Sequence, residues 1–480
     1  MEGADCHALW MLPPPKFSSA DEVAEILENY WMALARDIPF NDYPGSAGNG
    51  ILDAAFANLS GFAYYTIPSQ FFGALPLTRD ALFRGTTLGD RRGPYVSQFL
   101  LVDTPYGAQS IPARIRTVQP GVDYMTSYFE WLDVQNGCDS NQSACDPMPR
   151  LIRSGRDLAQ LVHVDADFNA HYNACFILGS GRDPLRRCEA SAGFGVAFEK
   201  HLPYLNPATP PSEEYHRKSR TQIGVGTFGI QHVKSLLMEV VTRAAKAVWF
   251  QKWQVHRRLR PEEFGARIHR QRIEPIVAHY PIHSALFNSP LFSETGDHSI
   301  FRHNFHQNCD KRCRRHCEPH ETDPHPLDTK GTYLLPMAYA EGCPIHPSYG
   351  AGHATIAGAC VTILKAFFAD GCIINPVIAN RNGTALEPYT GLDRDELTIH
   401  GELNKLASNI SLARNIAGVH WRSDHTQSLL LGEKVAISLL FDQRKTYNED
   451  YQFRFRRFDD VSHVVIDKST TVAQLASWLA

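Results

Sequence analysis

A chain of 480 residues with 43% hydrophobic and 20% charged side chains can bury a large core and has the balance of a soluble globular protein. Its net charge of -4 gives no reason to expect nucleic acid or an anionic membrane as partner, so any anion site must be a local gathering of basic groups. The 11 cysteines are an odd number and cannot all pair within one chain.

In chain order, residues 1–20 read as a proline-rich coil with no basic region leading into an apolar run, so no signal peptide is expected. Ser19 to Asp37 places Val23, Ile26, Leu27, Tyr30, Trp31 and Leu34 at helical spacing behind a serine cap. Gly50 to Ser60 reads as a second short helix. Val96 to Val102 and Ile111 to Val118 are strand-like runs joined through Pro105, Tyr106 and Gly107, which predicts a hairpin. Helical period returns over Val122 to Leu132 and Asp157 to Leu178. A loop rich in Pro, Ser and Thr follows from Leu202 to Val225.

Gln231 to Trp253 is a long amphipathic helix with Leu236, Leu237, Val240, Val241, Ala244 and Val248 on its apolar side, and Pro261 limits how far it can run. Residues 282–332 form a polar insertion rich in His and Cys. Helices are then predicted over Ala354 to Ala369, Glu396 to Ile416 and Leu429 to Gln443, with Ser423 and Asp424 as caps for the last. The tail, 451–480, opens on alternating Phe453 and Phe455 against Arg454 and Arg456, a short hairpin to Ile466. The most apolar stretches are short and carry Lys365, Glu433 and Lys434, so no membrane span is expected. With no internal repeat, the chain reads as one mainly helical domain, 1–480, with minor β hairpins.

Chemistry concentrates in three places. His346-Pro-Ser-Tyr-Gly-Ala-Gly-His353 is a glycine turn feeding a helix, whose unpaired first-turn N–H groups suit an oxyanion. Lys252 and Arg260 lie roughly 80° apart around a helix at about 100° per residue, provided the helix reaches Arg260. Arg414, His420 and Asp424 form the third group, with Gly418 able to end a helix between them. Singly, each of these residues suits a solvated face, a cap or a packed core. Together, Lys252, Arg260 and Arg414, a backbone cradle at Gly352 and the imidazoles of His353 and His420 are what phosphate or vanadate requires. One imidazole can attack or ligate the central atom while the other moves protons.

Lysine, seven residues, Arg-Pro; then His-Pro-Ser-Tyr with Gly-His; then arginine, five residues, histidine, three residues, aspartate: this order resembles the vanadium-dependent haloperoxidases and, more distantly, the phosphatidic-acid-phosphatase type of acid phosphatase. Gly226-Thr-Phe-Gly, Phe250-Gln-Lys and Ser428-Leu-Leu-Leu-Gly-Glu resemble the red-algal and cyanobacterial bromoperoxidase branch. The resemblance implies the helical-bundle fold of that superfamily, a vanadate cofactor with His420 as its metal ligand, and Lys252, Arg260, Arg414 and the Gly352 amide around its oxygens. His353 would be the acid/base, with Lys252 and His346 beside it in the catalytic group. The implied partners are hydrogen peroxide, halide and a small organic acceptor, in a homo-oligomer. A phosphatase with His420 as nucleophile, or a weakly active anion-binding homologue, are the alternatives.

The chain departs from the family pattern. Ala351 stands where relatives place a serine whose hydroxyl bonds the vanadate. Trp249 resembles fungal chloroperoxidases, where red-algal relatives carry arginine, whereas His346 matches the bromoperoxidases; the two signals for halide selectivity conflict. Tyr215 to Gln222 lacks the carboxylates that hold calcium in red-algal relatives, so calcium is not expected. His303, His306, Cys309, Cys313, His316, Cys317 and His320 are zinc-type ligands, but their Cys spacing and intervening Lys311, Arg312, Arg314 and Arg315 favour a surface loop with disulfides or free thiols. Cys138 and Cys145 flank a polar loop that a disulfide could close, and Cys175, Cys343 and Cys360 read as free thiols.

Overall fold

The computed structural model describes residues 3–44, 49–67, 76–140, 145–179, 197–198, 228–315, 331–368, 370–448, 451–459 and 462–480. Helix α1 (Ala20–Ala35) begins at Ser19, whose hydroxyl accepts from the Glu22 amide. Its apolar residues other than Ala20 and Leu34 are buried, and so are Glu22, Glu25 and Glu28. A helix buried on both faces lies inside the bundle, and its carboxylates require partners there. Helices α2 (Gly50–Leu59), α3 (Tyr128–Gln135), α4 (Gly155–Leu161) and α5 (Asn169–Gly179) follow.

The centre of the bundle is α9 (Gly352–Phe367), packed against α6 (Ile230–Phe250), α10 (Ile399–Ile416) and α11 (Arg422–Gln443). Two glycines set the closest approach. A Cβ on Gly432 would meet Thr355 O at 2.0 Å, and one on Gly358 would meet Leu429 O at 2.3 Å. Backbone therefore lies against backbone, and this contact fixes the N-terminal half of α9 against α11. Helices α7 (Pro261–Ile273), α8 (Ile300–Arg315) and α12 (Val472–Leu479) complete the described helices of two turns or more. Strands form only antiparallel pairs: β1 (Thr104–Tyr106) with β2 (Gln109–Ile111), β3 (Ala197–Phe198) with β4 (Ile373–Ile374), β5 (Val377–Ala379) with β6 (Leu386–Pro388), and β7 (Phe453–Arg456) with β8 (His463–Ile466). Among the described residues no helix is long and apolar enough to cross a membrane.

Several predicted elements differ. Val96 to Val102 is no strand: Ser97 accepts from Phe99 N, Glu402 accepts from Gln98 N, and the run winds into a buried 3-10 turn against α10. The hairpin is the shorter β1–β2. The helix predicted over Val122 to Leu132 starts only after Ser127, because Tyr124 is bridged to Met337. The run from Asp157 to Leu178 breaks into α4 and α5, with Asp165 and Asp167 in the turn between them. The His/Cys-rich insertion contains α8, where His303 pairs with Asp123 at 2.9 Å. Cys309 there is a free thiol; the side chain of Cys313, and His316, Cys317 and His320, lie outside the described residues, as do Tyr215 to Gln222. Cys138 and Cys145 are exposed and not bridged to each other, and Cys175, Cys343 and Cys360 are free thiols as read from sequence.

Candidate functional site

The helix carrying Lys252 does not reach Arg260. It widens into a π turn over Gln251–His256 and ends at Arg257, which takes the left-handed conformation with φ 49°. Arg260 instead precedes Pro261, at the N-cap of α7. Lys252 and Arg260 thus enter from two elements, and a shared helix face is not what aligns them. Both are buried.

Lys252 Nζ donates to Pro347 O at 2.7 Å and Ser348 O at 3.1 Å, which uses two of its three protons. Arg260 donates from Nε to His346 O at 2.9 Å and from Nη1 to Val419 O at 2.8 Å. Two of its three remaining N–H groups meet His420 Nε2 at 3.1 Å and His346 Nδ1 at 3.0 Å. Arg414, in the last turn of α10, donates to Val162 O at 2.7 Å and Tyr339 Oη at 3.3 Å, with its guanidinium over the Tyr339 ring. Its Nε is buried with no hydrogen-bond partner.

His420 is oriented by Asp424, whose Oδ2 lies 2.7 Å from Nδ1. A carboxylate only accepts, so Nδ1 carries the proton and Nε2 keeps its lone pair, the tautomer that Arg260 also requires. Burial, then the neighbouring Arg260 cation, hold His420 well below the usual imidazole range, so it stays neutral. Burial works against the charge of Asp424, yet its hydrogen bond from His420 and the Arg258 cation keep it ionised. Arg258 reaches Asp424 Oδ1 at 3.0 Å and Glu25 at 3.0 Å, contacts Glu22, and stacks over Trp421. Asp424 also accepts from Trp421 N at 3.2 Å, so α11 begins at Arg422 and Asp424 closes its first turn; Ser423 is not the cap.

At the start of α9, Ala351 occupies the N-cap position and no side chain caps the helix. A Cβ built on Gly352 would meet nothing within 4 Å, so open space lies beside the start of α9, where the first-turn amides are unpaired within the helix. His353 Nε2 lies 3.0 Å from Asp165 Oδ1 and 3.3 Å from Asp167 Oδ1. His346 is held at about 4 by burial and the Lys252 and Arg260 charges, and is neutral at physiological pH. Trp249 is not brought to this site. It is 58% exposed and lines a surface cleft with Gly3 to His7, Arg243 and Trp253.

The donor set fits an oxyanion with a metal centre. Lys252 is depressed well below the usual amine range by burial and by Arg260 and Arg414, a strain between cations that a bound anion relieves. The orphaned Arg414 Nε, the open space at Gly352 and the His420 lone pair supply donors for oxygens and one nitrogen ligand for the metal. The motif residues were legible in sequence because they sit in short contiguous runs. Glu22, Glu25, Arg258 and Tyr339, which hold them, were not; only the polar stripe at 22, 25 and 28 within an apolar helix hinted at buried carboxylates.

Residues 325–449 match the VCPO second helical-bundle domain. The chain is 36% identical to a vanadium-dependent bromoperoxidase of Corallina pilulifera, over 96% of this chain and 76% of the relative. It is 32% identical to a vanadium-dependent bromoperoxidase of Ascophyllum nodosum, over 95% of this chain and 74% of the relative. The homohexameric structure of the second vanadate-dependent bromoperoxidase from Ascophyllum nodosum superposes with a TM-score of 0.76 at 28% identity, covering 95% of this chain and 73% of that one.

Proposed function

The chain belongs to the vanadium-dependent bromoperoxidases, and from that membership we propose that it uses hydrogen peroxide to oxidise halide, bromide above all, to hypohalite that halogenates small organic acceptors. Lys252, Arg260 and Arg414 would balance the charge of vanadate, the Gly352 amide would donate to one of its oxygens, and His420 Nε2 would ligate the metal. Bound there, vanadate would supply the Lewis acidity that activates peroxide. The protein's own contribution is electrostatic and positional. Three buried basic side chains are positioned before substrate arrives and cost no reorganisation during the reaction. Asp424 keeps His420 in its ligating tautomer. Asp165 accepts the Nε2 proton of His353, which leaves Nδ1 as the basic nitrogen for taking a proton from hydrogen peroxide. Neutral His346 packs against Arg260 and steadies its fork without adding charge.

The observation that carries this reading is His420, locked through Nδ1 and presenting Nε2 among buried cations. His420→Ala is expected to abolish vanadate-dependent bromide oxidation while circular dichroism and melting remain those of a folded chain. Retained turnover with unchanged vanadate affinity would sink the assignment. A phosphomonoester assay on vanadate-free protein tests the phosphatase alternative, which none of these relatives favours. Self-association into a homo-oligomer is part of the same reading, supported by the homohexameric relative. A monomer mass by light scattering would overturn it.

A further inference from the structure

Beside the anion cage the described residues hold a second constellation, of opposite charge. Asp165, Asp167 and His353 each offer one ligand atom, all within 4.8 Å of one another. We propose that these three side chains hold a divalent transition-metal cation, and that the cation silences His353 as a base. The binding stands on geometry; the silencing rests on the role given to His353 above.

Two carboxylates converge on one nitrogen, Asp165 Oδ1 at 3.0 Å and Asp167 Oδ1 at 3.3 Å from Nε2. A single N–H serves one of them well and leaves the other facing like charge. A doubly charged ion would satisfy both. Ligands at about 2.0–2.2 Å from a tetrahedral zinc stand roughly 3.3–3.5 Å apart, so small movements convert the hydrogen-bonded triad into a coordination shell. Asp165 and His353 are largely shielded while the Asp167 side chain is 49% exposed, which opens one side to an entering ion. One nitrogen and two carboxylate oxygens suit zinc, manganese or iron(II) rather than a soft ion.

His171 is the independent observation. It lies in the first turn of α5, directly after the turn that carries both aspartates, and is 1% exposed with neither ring nitrogen hydrogen-bonded. The two titratable groups that act on it are Asp165 and His353. A buried imidazole without a partner, within electrostatic reach of Asp165 and His353, places an unused nitrogen close to the triad though outside its ligand set.

The consequence for His353 follows from its two nitrogens. In the metal-free protein the proton sits on Nε2 and the lone pair on Nδ1. Coordination through Nε2 moves the ring's one proton to Nδ1. No proton is gained or lost, and the nitrogen that accepts from peroxide becomes a donor.

The test uses full-length protein. Co2+ is titrated into metal-stripped, vanadate-free wild type and Asp167→Asn, followed by its visible absorption and by calorimetry. Zinc is then titrated against bromide turnover of both vanadate-loaded forms, with a chelator to reverse it. Wild type should bind one equivalent of Co2+ more than Asp167→Asn, whose melting curve and zinc-free turnover should be unchanged. Half-inhibition of Asp167→Asn should need at least about ten-fold more zinc, the loss typical of a weakened metal shell. Equal Co2+ binding by the two proteins overturns the site. Loss of one equivalent in the variant together with zinc-insensitive wild-type turnover overturns the silencing and, with it, His353 as the base.

Discussion

Replacing Asp424 with asparagine keeps the volume of a fully buried side chain and removes its charge, so the effect reads out what that carboxylate does for His420. Oδ2 accepts from His420 Nδ1 at 2.7 Å and Trp421 N at 3.2 Å, and Oδ1 accepts from Arg258 at 3.0 Å. An amide can accept at one of these positions only. With its oxygen toward His420, the amide NH2 faces the Arg258 guanidinium. Turned the other way, it faces Nδ1 and forces the proton onto Nε2, which abolishes the metal-ligating lone pair. Either orientation forfeits one charge-assisted hydrogen bond, about 1.5–3 kcal/mol, equivalent to roughly 10- to 150-fold in a binding constant. Arg258 keeps Glu22 and Glu25, so the fold should survive. We predict that vanadate affinity of the apoprotein, titrated through recovered bromide oxidation, falls about 10- to 100-fold, the range found for groups that orient metal-ligating histidines. Affinity within about two-fold of wild type, in a variant shown to be folded, would refute the claim that Asp424 sets the tautomer of His420.

Phosphate should compete with vanadate during reconstitution, because on the proposed reading Lys252, Arg260 and Arg414 would form a cage for either tetrahedral oxyanion; vanadate titrations that do not shift with added phosphate would argue against a shared site. Gly432→Ala drives a Cβ to 2.0 Å from Thr355 O, so α9 and α11 must part. A stability loss of about 1–3 kcal/mol or more is expected, with weaker vanadate binding because Gly352 and His420 separate; an unchanged denaturation midpoint counts against the close crossing. His171 is held at about 3 by burial, far below the ordinary imidazole value. Below about pH 6.5 the unfolded chain takes up a proton there that the native state refuses, so this residue's penalty is absent at neutral pH and grows as pH falls. His171→Leu should therefore gain about 2–3 kcal/mol over wild type between pH 7 and about pH 4.5, in denaturant titrations with chelator present; a gap independent of pH would show that His171 titrates normally.

Which residues could be read from the chain depended on how they reach the site. His346 to His353 and Arg414 to Asp424 are contiguous runs, and a run fixes local geometry: a turn into a helix, or a helix end and a new start. Lys252 and Arg260 were recognised by spacing, but the reason attached to the spacing was wrong, because a π turn and a left-handed Arg257 intervene and neither has a periodic signature. Asp165 and Asp167 were hidden because Asp157 to Leu178 keeps helical period across a turn that tertiary contacts impose. The buried carboxylates of α1 were visible only as a polar stripe; that Arg258 and Arg422 would meet them depends on segments more than 200 residues away. Short strands failed for the opposite reason. Val96 to Val102 has the composition of a strand, and the capping by Ser97 and Glu402 overrides it.

On the sequence resemblance, Ala351 leaves the proposed site without a serine donor, and the structure removes the simplest compensation. Ser348, three residues earlier, is the nearest substitute donor in sequence, but its hydroxyl is given to Asp424 and lies 3.4 Å from His420 Nδ1. The Ala351 amide is likewise spent, on Ser428 Oγ at 2.8 Å. We predict that Ala351→Ser acts in two separable ways. At an N-cap position the new hydroxyl can accept from a first-turn amide of α9, worth about 0.5–2 kcal/mol of stability. The same hydroxyl has one proton to donate, and a bond from it to a charged vanadate oxygen is worth about 1.5–3 kcal/mol, roughly ten-fold or more in affinity. Because a hydroxyl can accept and donate at once, the effects are compatible, and they are distinguished by the state measured. A higher melting temperature of the vanadate-free protein reports the cap; tighter vanadate binding or faster bromide oxidation reports the donor. A cap without any gain in vanadate affinity means that the hydroxyl points along the helix and not into the cage. Should neither property change, the site is already satisfied without a side chain at this position, and the reading of Ala351 as a missing donor is wrong.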